Sequence, residues 1–164
     1  MESLSLLSHA VFMGIIATIT MDIWALFLKA AFNIVGLNYA MVGRWIGHFF
    51  KGKLTHKAIG KSSRIAGESI IGWVLHYTIG ILFAAVLVLI WGYSPSIIQS
   101  LIIGISTVVF PFFLMQPCFG LGIAGSKLPK PNSARLKSLM THFIFGLGLY
   151  LGGFTTKIIL SQFL

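Results

Sequence analysis

The chain has 164 residues, of which 57% are hydrophobic and 9% charged, with a mean hydropathy of +0.94. That composition belongs to an integral membrane protein and leaves no stretch polar enough for a separate soluble domain. The formal net charge of +9 then matches an anionic lipid leaflet, at about 1 kcal/mol per cation, and excludes nucleic acid as a partner, since no basic soluble domain remains to bind it.

Four apolar runs, at 4–28, 70–91, 97–115 and 138–160, are each long enough for a hydrocarbon core of about 30 Å. The predicted fold is all-α: a polytopic four-helix transmembrane bundle forming one domain over 1–164. The first run opens with Met1 and Glu2, without a basic start, and is too long for the core of a cleavable signal, so it is expected to stay in the protein. Of the twelve cations, Lys29 and the six others up to Arg64 surround the first connection, and Lys127, Lys130, Arg135 and Lys137 surround the third. Only Lys157 lies elsewhere. The positive-inside rule then predicts both long connections in the cytoplasm and both termini on the outer side. The single cysteine, Cys118, rules out an intrachain disulfide and reads as a packing residue.

The first run carries a carboxylate, Asp22, at a depth where a charge costs about 2.5–3.5 kcal/mol. It must either carry a proton or be paired with an imidazolium. The first connection, 30–67, is too long for a bare linker. Within it Tyr39, Val42, Ile46 and Phe49 recur at helical spacing after Asn38, a good N-cap, while Arg44, His48 and Lys51 share another face. A short amphipathic helix lying in the interface is expected here, anchored by Trp45 and Phe50.

The second span carries His76 between Trp73 and Tyr77. Pro111 should kink the third, and Gln116 closes it. The third connection spaces Gly120, Gly122 and Gly125 like a dinucleotide fingerprint, but no strand precedes it, so that reading fails. Its glycine-rich backbone beside Lys127 and Lys130 is either a tight turn or a cradle for a lipid phosphate, with Arg44, His48 and Arg135 as further headgroup contacts. Asn132 or Ser133 should cap the fourth helix, whose span carries His142.

At 1.5 Å per residue, Asp22 lies about 10 Å in from Lys29, His76 about 12 Å in from Glu68, and His142 about 8–10 Å into its span. Three titratable groups on three helices thus fall at one depth, with Thr18 and Gln116 as polar neighbours. Apolar helices tolerate such groups chiefly when they face inward and satisfy one another. His9 and His56 are expected to be solvated.

These motifs resemble an uncharacterised bacterial inner-membrane family, domain of unknown function family 2938. The resemblance runs from Met21-Asp22-x-Trp24 through Asn38-Tyr39-Ala40-x-Val42-Gly43-Arg44-Trp45-x-Gly47-His48 and Gly72-Trp73-x-x-His76-Tyr77. It continues in Met115-Gln116-Pro117 and Pro129-x-Pro131-Asn132-x-Ala134-Arg135, ending at His142. It implies a bacterial four-span membrane protein and no catalytic assignment.

Three functions fit the residues. A proton-linked small transporter or channel would titrate Asp22 against a histidine, and four helices would need a parallel homo-oligomer to enclose a pathway. An intramembrane enzyme on a lipid or lipid-soluble substrate would use Asp22 and a histidine as acid and base, or Asp22, His76 and His142 as a metal ligand set. A structural or regulatory partner would use the layer only to lock its helices. No cofactor is expected.

Overall fold

The structure is a computed structural model that describes residues 2–161, with side chains described for residues 6–158. It is all-helical. Helix α1 is Glu2–Phe32, α2 is Tyr39–Phe49, α3 is Glu68–Trp91, α4 is Ile97–Ser106, α5 is Gln116–Cys118 and α6 is Pro131–Ser161. Four stretches are long and apolar enough to cross a membrane: Leu6–Phe32, Glu68–Trp91, Ile97–Cys118 and Pro131–Ile158. The first, third and fourth outrun the bounds expected from hydropathy, because capping and backbone hydrogen bonds, not apolarity, decide where a helix ends. Asn33, the first residue beyond α1, adopts φ +54.

Local chemistry explains the other ends. The Asn38 side chain accepts from Ala40 N–H and starts α2, as expected. Ser96 and Gln99 close a reciprocal capping box at α4, which follows the turn at Gly92 with φ +80. Pro111 has no N–H to donate, and the third span answers with a π-turn over Pro111–Met115, where Gln116 N–H reaches the Pro111 carbonyl. Helix α6 starts at Pro131, whose fixed φ suits a first turn. Asn132 therefore sits inside the helix instead of capping it, and its side chain accepts from Arg135.

The described residues fall into two compact units. One draws on 2–36, 77–107 and 140–161, the other on 37–76 and 108–139. The first unit is a four-helix bundle. Its core joins Met13 and Ala17 of α1, Ala84, Leu87 and Val88 of α3, Ile103 of α4, and Phe145 and Leu149 of α6. Helices approach closely where a side chain is missing: a Cβ on Gly148 would lie 2.7 Å from Ala17 Cα, and one on Gly152 2.8 Å from Met13 Cα. Without a hydrophobic drive between helices in lipid, such backbone contact supplies the packing.

The second unit is built around α2, the start of α3 and the two long connections. Val42, Ile59 and Phe119 form its core, with Tyr39, Trp45, Leu75 and Met115 against them. Helix α2 lies directly on α3: a Cβ at Gly43 would fall on the Glu68 carbonyl, and one at Gly72 on the Tyr39 carbonyl. We expect Gly43→Ala to lower the stability of the purified protein by about 1–3 kcal/mol, the usual range for overpacking. Gly60→Ala, whose added carbon would have Met41 Cε at 3.9 Å as its nearest neighbour, should leave the thermal midpoint in detergent within a degree or two.

Candidate functional site

In the four-helix bundle the carboxylate finds a phenol. Tyr77 Oη on α3 donates to Asp22 Oδ2 on α1 at 3.0 Å, with both side chains half-buried. Thr18, one turn before Asp22, is 1% exposed and turns its hydroxyl back to the Gly14 carbonyl at 2.7 Å. It packs against Gly80, where a Cβ would meet Thr18 Oγ1. Thr18 thus brings α1 and α3 close enough for the bond to Tyr77, while its own hydroxyl is committed to its helix.

His142, on α6 of the same bundle, meets Thr107 at the end of α4. Thr107 Oγ1 donates to the Gly104 carbonyl at 2.7 Å, so its oxygen accepts from His142 Nδ1 at 2.9 Å. This assigns the ring proton to Nδ1 and makes Nε2 the basic nitrogen. Close approach again permits the contact, because a Cβ on Gly104 would fall on Gly146 of α6.

His76 belongs to the other unit. Its Nε2 lies 2.9 Å from Tyr39 Oη on α2, its ring is stacked on Tyr39 at 4.2 Å, and Trp73 meets it edge-on at 5.8 Å. Gln116 is in that unit too, 7% exposed, and its Oε1 is buried without a hydrogen-bond partner. Each residue expected in a common layer thus has its own setting: Asp22 on Tyr77, His142 on Thr107, His76 on Tyr39. Among the described residues no three His, Cys, Asp or Glu side chains are placed to hold a metal ion.

The residues expected to bind a headgroup are largely occupied. Arg44 is 7% exposed. Its Nε and Nη2 fork onto Glu68 Oε2 and Oε1 at 2.8 and 2.6 Å, and its Nη1 donates to the Ile59, Gly60 and Ser62 carbonyls at 3.2, 3.3 and 3.2 Å. Glu68 Oε2 also accepts from Ile65 N–H at 3.0 Å. The Glu68 hydrogen bond raises the Arg44 pKa further, and burial opposes it. Arg44 is therefore a clasp on the first connection, buried with each of its three nitrogens engaged. His48 is also buried, donating Nε2–H to the Ser63 carbonyl at 2.9 Å.

The expected polar face of α2 is thus buried along with Val42. Arg44 and His48 point into the protein, while Phe49 at its end is half exposed and Phe50 is 83% exposed. Desolvating a guanidinium is feasible because one carboxylate and three carbonyls receive its protons together. Lys127 and Lys130 are exposed as expected. The glycine-rich loop beside them is a tight turn, with the N–H groups of Gly120, Leu121, Gly125, Ser126, Lys127 and Leu128 all bonded to backbone carbonyls. Arg135 places two of its five donors on the Ala124 carbonyl and Asn132 Oδ1.

Neither histidine expected in solvent is there. His9 is 6% exposed and packs on Tyr93 at 4.2 Å. His56 is 5% exposed, and burial, then Lys53, then His48 push its imidazole below the ordinary value.

The family model described as "Protein of unknown function (DUF2938)" matches residues 11–156. The chain belongs to this family. The matched segment includes Asp22, Tyr77 and His142 and also the Arg44–Glu68 clasp, and the family carries no assigned activity. No curated protein and no solved structure matches the chain.

The partners of the site were hidden for a physical reason. Tyr77 follows His76 directly, yet neighbours on a helix point about 100° apart, so the two address different helices. Glu68 could have been suspected as the clasp because it is the sole carboxylate in the cation-rich unit. Glu68→Gln leaves a buried guanidinium without its counter-charge and should cost about 3–5 kcal/mol, read as an earlier thermal transition and new tryptic cleavage at Lys57, Lys61 or Arg64.

Proposed function

We propose that this family member is a proton-linked transporter or channel for a small solute or ion, with Asp22 as the group that binds and releases the proton. The observation that carries this reading is the Tyr77 hydrogen bond to Asp22 at 3.0 Å between two apolar helices. A phenol is a neutral donor: it steadies the ionised carboxylate without supplying a charge that would fix it in that state. Glu68 illustrates the other choice, with a guanidinium on both oxygens.

His142 contributes a second titratable group in the same bundle, with its basic Nε2 set by the bond to Thr107. We read the working form as a parallel homo-oligomer in a bacterial inner membrane, with the cation-rich connections in the cytoplasm and on anionic lipid and the termini outside. The gathering of both long connections in one unit supports this orientation.

Proteoliposomes with a trapped pH dye and an imposed potential test the reading. The wild type should take up protons, and Asp22→Asn should abolish uptake in folded protein. Tyr77→Phe removes one hydrogen bond to a charged group, worth about 1.5–3 kcal/mol, and should slow flux about tenfold or more. Absence of flux in folded wild type would remove the proposal.

A further inference from the structure

The first connection holds one polar atom that no partner satisfies. His56 is 5% exposed, and its Nε2 is buried without a hydrogen-bond partner. Its other nitrogen is held: Nδ1 lies 2.9 Å from Ser62 Oγ, and the Ser62 hydroxyl directs its own proton to the Ala58 carbonyl at 3.5 Å. The serine oxygen therefore accepts from Nδ1–H, which makes Nε2 the basic nitrogen of the neutral ring. That leaves a buried lone pair with no protein donor opposite it.

The surroundings suit a neutral ring and no other. The His48 ring of α2 stands edge-on to it with centroids 5.0 Å apart, its own Nε2 proton on the Ser63 carbonyl. Lys53 lies close enough to disfavour a positive charge on His56. Lys57 is the next residue, and Arg44 holds the carbonyls of Ile59, Gly60 and Ser62 from the α2 side. From the third span Cys118 offers its carbonyl to the His56 N–H at 2.8 Å, and Phe119 offers its own to Ile59 N–H at 3.1 Å. The sole carboxylate of this unit, Glu68, already has Arg44 on both oxygens. An imidazolium here would have no counter-charge and no acceptor at Nε2.

The ring also sits at the seam that keeps the loop down. The backbone at 56–57 lies so close to the turn at 118–120 that a Cβ on Gly120 would fall on the Lys57 carbonyl. The loop is closed over that turn by the two backbone bonds from His56 and Ile59 and by Arg44. The first of these is made by the backbone of the same residue whose ring a new charge would draw toward water.

We infer that His56 is a proton-binding site that latches the loop 52–66: neutral, it holds the loop on the turn at 118–120, and on taking a proton at Nε2 from solution it releases it. The sign follows from the closed state's reluctance to charge. An imidazole that protonates less readily when closed than when open leaves the closed state's advantage whole above the ordinary value of about 6.5. That advantage is lost as the pH falls through the lower value of the closed form. The latch is independent of the transport reading, since it uses no residue of the Asp22 and Tyr77 pair.

A spin label at Lys61→Cys, in a Cys118→Ser background reconstituted in lipid nanodiscs, reports loop mobility between pH 8 and pH 5. We expect a restrained spectrum at pH 8 that converts reversibly to a mobile one with a midpoint below 6.5. His56→Asn keeps a donor in the place of Nδ1 and cannot titrate, so it should remain restrained throughout; His56→Gln serves if the asparagine variant does not fold. His48→Gln keeps its donor to Ser63 and should retain the transition. An unchanged wild-type spectrum over this range, or a transition that persists without His56 or disappears with His48 alone, overturns the inference.

Discussion

Two helices in an apolar medium gain little from hiding their side chains from lipid, so what holds them is close backbone contact together with the pairing of the few polar groups they carry. Both conditions are met at the same places in this protein. Gly80 lets Thr18 in, one helical turn from the Asp22 and Tyr77 pair, and Gly104 against Gly146 brings α4 to α6 where Thr107 meets His142. In the other unit Gly43 and Gly72 press α2 on α3 where Arg44 reaches Glu68 and Tyr39 reaches His76. Small residues and polar bonds act as one device here, because a hydrogen bond between helices forms only when the axes are near enough for short side chains to touch.

The chain's two described carboxylates outside the first turn have opposite settings. Glu68 receives three N–H groups of α2 and the loop and organises the whole first connection around one ion pair. Asp22 receives the hydroxyl of a tyrosine. The first arrangement favours one protonation state and one geometry, as a structural clasp should. The second places a neutral hydroxyl donor on the carboxylate, between two apolar helices.

Much of the fold was legible. Four apolar stretches and a short helix after Asn38 follow from hydropathy and capping, which act over a few residues and survive any change of neighbours. The face that α2 buries was not legible. Its apolar spacing is real, with Val42 in the core, but Arg44 and His48 go inside with it because Glu68 and the carbonyls of the loop wait there. The same holds for His56, polar by type and surrounded by polar sequence, yet buried by a turn some sixty residues downstream.

By itself the sequence determined the class of protein, the number and approximate place of the apolar helices, and the singling out of Asp22, His76 and His142. Each of these depends on the chemistry of a residue and its near neighbours, which the order of the chain contains. Only the tertiary structure decided who answers whom: Tyr77 for Asp22, Thr107 for His142, Tyr39 for His76, Glu68 for Arg44. Depth along a helix can be counted from the sequence, but the rotation of one helix against another is set by where glycines let the backbones meet, and that rotation chooses the partner.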